Sequence, residues 1–171
     1  MTSTVRVVVG VVGALVIGVL LLVGYARVFG FDPGPWRPGL WLRGEVVTTP
    51  VTDWTFAKDL PGPTAIQTRD WLVPGLAFSI TSARFIHNGN LYLGSGYATG
   101  IAMPAGRHWN QNIVAHPVVR IRIGGKLYDR KLVYVTDTEE HDAICRDYGL
   151  SIPLLWAPGY YIHLWRVEPL A

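Results

Sequence analysis

The hydrophobic pattern divides this chain into a continuous apolar run, a short interrupted stretch, and a long alternating region. From Val7 to Ala26 (VVVGVVGALVIGVLLLVGYA) twenty residues carry no formal charge, with Arg6 before them and Arg27 after. Coiled as a helix, that run spans about 30 Å, the hydrocarbon thickness of a bilayer. Its four glycines weaken a helix in water but are common in membrane helices. A cleaved signal peptide is the competing reading, with Gly24-Tyr25-Ala26 as small residues near a cleavage point. Against it, the run exceeds the usual signal core of about 7–15 residues and its positive flank is thin. The expectation is a retained single-pass membrane anchor in residues 1–28, meeting the lipid bilayer through residues 7–26. Arg27, Arg37 and Arg43 follow it while Arg6 alone precedes it, so the positive-inside bias puts the C-terminal domain in the cytoplasm. Gly10, Ala14 and Gly18 share one helix face, a stripe that permits helix pairing but also follows from ordinary glycine and alanine abundance.

Phe29–Gly39 (FGFDPGPWRPG) holds three prolines and three glycines, which predicts a semi-rigid linker over residues 29–40 with Trp36 and Trp41 at the membrane interface. Residues 41–171 then form one domain. Thr64–Thr68 and Leu76–Ile86 alternate apolar and polar positions, as half-buried strands do. His87-Asn88-Gly89-Asn90 suits a tight type I′ turn into Leu91-Tyr92-Leu93. Val118–Ile123 turns through Gly124-Gly125 into Leu127–Thr136, and Tyr160–Val167 supplies a closing strand. Arg107–Ala115 reads as a helix stopped by His116-Pro117. Asp137–Tyr148 reads as a second, with an Asp cap, Glu140 three residues on, and Gly149 at its end. The fold class predicted is mainly β (α+β): about six strands and two short helices, closed as a small antiparallel barrel that leaves no free sheet edge.

Composition narrows the chemistry. Hydrophobic residues make up 50% and charged residues 16%, against about 25% charged in soluble domains, so disorder is not expected. Fifteen Lys+Arg against 12 Asp+Glu leave +3 with no basic run, which argues against nucleic acid as a partner. One cysteine, Cys145, excludes an intrachain disulfide framework and a Cys-cluster metal site. The five histidines show no i, i+4 helix pair, so no metal site is predicted. Neither a carboxylate dyad nor a Ser-His-Asp order stands out.

The order of Thr68-Arg69, an alternating strand, Asn88-Gly89-Asn90-Leu91-Tyr92-Leu93-Gly94-Ser95, Trp109-x-x-Asn112-Ile113, His116-Pro117, the strand Val118–Ile123 and Gly124-Gly125 resembles the split β-barrel flavin-binding superfamily. Within it, the chain is similar to the branch of deazaflavin-dependent nitroreductases and quinone reductases, beside the pyridoxamine phosphate oxidase-like proteins. The resemblance covers about residues 60–168. It implies a six-stranded split barrel, usually a homodimer, with FMN or the deazaflavin F420 in a groove along the barrel wall. It also implies hydride transfer to or from a small-molecule redox substrate such as a quinone or nitro compound. The cofactor carries that chemistry, so the resemblance names no catalytic residue.

Through the resemblance, Thr68 and Arg69 become cofactor contacts at an inner strand's end, and Ser95 and Gly96 the opening of a phosphate loop. Arg107, Trp109 and Asn112 open the following helix, where an N-terminus favours an anion. Read as residues alone, Thr68 simply suits a strand, Trp109 packs the helix onto the barrel, and Asn112 caps, binds backbone or touches cofactor. One departure matters: the segment Ser95–Gly106 lacks the lysine that this branch carries, and its first cation is Arg107. That departure supports an alternative, a non-catalytic membrane-anchored binding or assembly module. A haem-binding variant would draw on His108 or His163. Arg120, Arg122, Lys126, Arg130 and Lys131 cluster on one hairpin, either facing anionic headgroups or forming a solvated strand face. Asp53-Trp54 and Trp71 are expected to pack against the barrel.

Overall fold

The computed structural model describes residues 3–34, 37–98, 100–149 and 160–170; Trp36 therefore lies outside the described residues. Helix α1 spans Ser3–Phe29, about 40 Å at 1.5 Å per residue. Its most apolar window has a mean hydropathy of 3.0 and is nowhere buried against the rest of the chain. By length and composition α1 can cross a membrane.

Strand β1 is Glu45–Val46, followed by β2 Thr64–Arg69, β3 Ala77–Ser82, β4 Arg84–His87 and β5 Asn90–Ala98. Helix α2, His108–Ala115, leads to β6 Val118–Ile123 and β7 Lys126–Tyr134; helix α3, Thr138–Asp147, precedes β8 Tyr160–Glu168. Seven strands form one antiparallel path, β3-β2-β6-β7-β8-β5-β4, and β1 adds a short parallel pairing to β7. The ends of the path, β3 and β4, are two halves of one run of chain separated by Ala83 alone. The sheet therefore curls back on itself: β3 pairs with β2 and β4 with β5. Around the bend Gly94 N donates to Ala83 O at 3.1 Å, and the Ser82 hydroxyl donates to Gly94 O at 2.9 Å. The alternation predicts one strand here; its change of partner at Ala83 makes it two, which accounts for seven strands against six. A Cβ at Gly94 would meet Phe85 at 2.7 Å and Ile162 at 2.9 Å, so the bend requires the missing side chain.

Both tight hairpins have the required backbone. Asn88 and Gly89 sit at φ +49° and +75°, and Gly124 and Gly125 at +57° and +80°, as a type I′ turn demands. Inside the barrel Ile66, Leu93, Ile121, Leu132 and Trp165 pack with Trp54 and Trp109. Outside, α3 covers Phe85, Tyr92 and Leu164 through Ile144. Its cap is Asp137, which accepts from Glu139 N at 2.8 Å and Glu140 N at 3.2 Å. The Glu140 side chain does not close a capping box; it binds Arg166 at 3.0 Å and Tyr92 OH at 2.7 Å.

The described part of the linker is folded onto the barrel wall. Phe31 N donates to Trp41 O and Leu40 N to Phe31 O, at 3.0 and 2.7 Å. Gly39 exchanges backbone bonds with Ser79 on β3, at 2.7 and 2.9 Å. Asp32 pairs with Arg122 at 2.8 Å, and Leu42 N donates to the Gln67 side chain at 2.6 Å. Arg43 donates to Arg27 O, tying the end of α1 to the same wall. The segment thus pairs both with itself, at Phe31–Leu40 and Gly34–Arg37, and with the sheet, at Gly39–Ser79.

A Cβ at Gly39 would collide with Phe31 O and Pro33 N. Gly39→Ala is therefore expected to lift the linker while the barrel stays folded. Limited trypsin digestion should then cut after Arg43 severalfold faster, with little change in the melting of the sheet.

Candidate functional site

Helix α2 lies against β2 and β3 and carries two buried asparagines on faces that the helical turn separates. Asn110 donates to the Ser95 hydroxyl at 2.8 Å and to Tyr97 OH at 2.7 Å, and accepts from the Trp165 indole at 3.0 Å. Asn112 donates to the Thr68 hydroxyl at 2.8 Å and accepts from Trp71 N at 3.0 Å. Thr68 in turn donates to Phe78 O at 3.1 Å. The two amides so fasten α2 to β5 and β8 on one side and to β2 and its following loop on the other. Buried amides left unmatched cost free energy, which explains why each is bonded at both its nitrogen and its oxygen.

The loop after β2 is held by Asp70. Its carboxylate accepts from Leu72 N and Val73 N, both at 2.9 Å, and pairs with the His108 ring at 2.7 Å. Burial pushes the Asp70 carboxyl up, but His108 and the Val73 and Leu72 N–H groups together outweigh it and hold it below the usual carboxylate range. The loop's N–H groups at 71–73 thus end on side chains of the chain itself.

The predicted site residues divide among three places. Thr68 and Arg69 line a groove of about 240 Å³ with Gln67, Val119 and Arg120. Arg107 and Trp109 line another, of about 260 Å³, with Arg37, Phe78, Ile80 and Thr81. Ser95 and Gly96 lie inside β5, paired with His163 and Ile162, rather than after it in a loop. The glycines on either side of Ser95 suggest a loop, yet β5 runs on through them to Ala98. Trp109 is buried in the core, and Asn112 serves neighbouring protein groups.

For a flavin-type phosphate the fit is divided. The hydroxyls of Thr68 and Ser95 already have partners, as do the loop donors at 71–73. The cations fit better. Arg107 is exposed at the start of α2, 5.5 Å from the Tyr97 ring, and α2 has no side-chain cap. The linker brings Arg37 into the same groove. Arg37 was not legible as a site residue, because its sequence neighbours mark only a spacer. Asn110 carries no signal of its own beside the better-placed Asn112.

The basic hairpin does not form a patch. Arg120 holds Asp129 through two bonds of 2.7 and 2.8 Å, and Arg122 pairs with Asp32. Arg130, in phase with Tyr128 and Leu132 on β7, is buried. Burial lowers its guanidinium from the ordinary arginine value, opposed by Tyr128 and Asp129.

Among the described residues no three His, Cys, Asp or Glu side chains gather to hold a metal. His108 is engaged through Nε2 with Asp70. His163 Nδ1 is 2.6 Å from Tyr134 OH, with the Tyr97 and Tyr161 rings 4.9 and 4.8 Å away. Burial, then the nearby His141, lowers the His163 pKa.

Two outcomes follow from these networks. Asn110→Ala leaves an indole N–H, a hydroxyl and a phenol without their partner, and is expected to cost about 2–4 kcal/mol in denaturant unfolding. His163 resists protonation when folded, so the unfolded chain binds the extra proton first. Stability should fall as pH drops below the unfolded histidine value of about 6.5, continuing until the lower folded pKa is passed. His163→Gln should flatten that dependence between pH 7 and 5, read from denaturant midpoints.

No family model matches the chain, and no curated protein matches its sequence. Among solved structures, it is similar to a pyridoxamine 5'-phosphate oxidase-like protein of Listeria innocua, with 14% identity and a TM-score of 0.42 over 63% of this chain and 82% of that one. It is also similar to an F420-H2-dependent reductase (FDR-A), with 18% identity and a TM-score of 0.41 over 62% of this chain and 94% of that one. At these values neither carries an activity, cofactor or acceptor to this chain.

Proposed function

We propose that this protein is a membrane-tethered split-barrel oxidoreductase that holds FMN or F420 by its phosphate. The observation that carries this reading is the groove where Arg37, Arg107 and Thr81 meet beside the uncapped first turn of α2. Two guanidinium groups, a hydroxyl and the positive end of a helix dipole favour an anionic phosphate group. A bound flavin or deazaflavin would supply the hydride chemistry. The chain's own part is to hold the phosphate, to shape the barrel wall beneath the ring, and to keep the whole at the bilayer. A helix such as α1 raises the local concentration of a lipid-soluble acceptor, and a quinone fits that description better than a water-soluble nitro compound. A second copy completing the groove belongs to the same proposal.

A specific observation favours the second reading, a non-catalytic binding module. The Thr68 and Ser95 hydroxyls and the loop donors at 71–73 are bonded internally, where a phosphate cradle would present them outward. Titration of the full chain in neutral detergent with FMN, FAD and F420, followed by absorbance, separates the two. Saturable binding that weakens about tenfold or more in Arg107→Ala, and again in Arg37→Ala, supports the oxidoreductase. No binding of any of the three leaves the non-catalytic module.

A further inference from the structure

Arg130 stands on the inward face of β7 with 8% of its surface exposed. Its guanidinium lies 5.4 Å from the Trp54 ring and 5.8 Å from the Tyr128 ring. Nη1 donates to the backbone of Asp129 at 2.7 Å, and the buried Nε has no acceptor among the described residues. The Asp129 carboxylate is already gripped by Arg120 through two bonds. Buried cations ordinarily have an anion beside them. Here the described carboxylate that is adjacent in the chain is committed elsewhere.

Arg130 also lines a groove of about 680 Å³ whose walls include Val47, Val51, Trp54, Val167 and Leu170. That volume falls within the range of small-molecule sites, about 300–1,000 Å³. The lining is mostly apolar but also holds Thr48, Thr49, Thr52, Asn90 and Asp129, and Arg130 is its one cation among the described residues; that combination suits a molecule with a long apolar body and a single anionic end. A guanidinium edge matches a planar carboxylate. A phosphate monoester, with close to two charges, would call for a second cation, and the Asp129 carboxylate in the same lining, although paired with Arg120, opposes a dianion more than the single charge of a carboxylate.

We propose that this groove binds a free fatty acid, its carboxylate on Arg130 and its acyl chain along Val47, Val51, Val167 and Leu170. The groove shares no lining residue with the Arg37–Arg107 groove, so the two assignments stand or fall separately.

The test uses the full chain in neutral detergent, with the fluorescent fatty acid cis-parinaric acid as probe and its methyl ester as the uncharged control. The expected result is saturable binding of one acid per chain, at least tenfold weaker for the ester and in Arg130→Gln. Val51→Trp, which fills the trough, should abolish it, with circular dichroism reporting that each variant is folded. Equal affinity for acid and ester, equal affinity in wild type and Arg130→Gln, or no saturation would overturn the proposal. Should Arg130→Gln fail to fold, the ester comparison and Val51→Trp still decide. Stronger displacement by dodecyl phosphate than by laurate would overturn the carboxylate assignment. FMN or F420 titrations on the same samples report the other groove alone.

Discussion

A sheet curled tightly enough to meet itself leaves an end to be closed, and whatever closes it must bring its own hydrogen bonds into a dry interior. Helix α2 meets that demand with Asn110 and Asn112. One amide reaches β5 and β8, the other β2 and its loop, so a two-turn helix spans the sheet between elements far apart in sequence. Eight residues would not hold a helix in water on propensity alone. Packing of Trp109 and Ile113, together with these bonds, holds it in place. The position of every groove near α2 depends on that anchorage.

The parts of the fold legible in the sequence are those set by local chemistry. Asn88-Gly89 and Gly124-Gly125 mark two hairpins because only positive φ closes such turns, and Asp137 marks the start of α3 because a carboxylate satisfies free N–H groups. What stayed hidden depends on partners far away in the chain. Residues 77–87 keep their alternation through Ala83 while changing neighbour from β2 to β5, and nothing in a period of two records that change. Ser95 sits between glycines that suggest a loop, yet β8 supplies the pairing that keeps it a strand. Arg130 is in step with Tyr128 and Leu132, so the period pointed inward, but its charge argued for the surface.

The candidate site shows the same division. Thr68, Arg69, Arg107, Trp109 and Asn112 all lie at or near α2 and the elements it touches, yet they do not converge on one groove. Residue type alone could not tell a hydroxyl offered to a ligand from one already bonded, as those of Thr68 and Ser95 are. Arg37 was out of reach for another reason: its relevance arises when the linker lies down along β3, which Gly39 permits by allowing two backbones to touch.

The linker contacts also bear on how the whole molecule is carried. Arg43 grips the carbonyl of Arg27, the Arg27 guanidinium lies 5.7 Å from the Trp41 ring, and Gly39 is stitched to Ser79. A loose tether lets its cargo swivel; this one acts as a bracket. These bonds fix how the barrel is set against the end of α1, so were that helix to lie in a bilayer, the face of the barrel turned toward the lipid would be set by the bracket and not by diffusion.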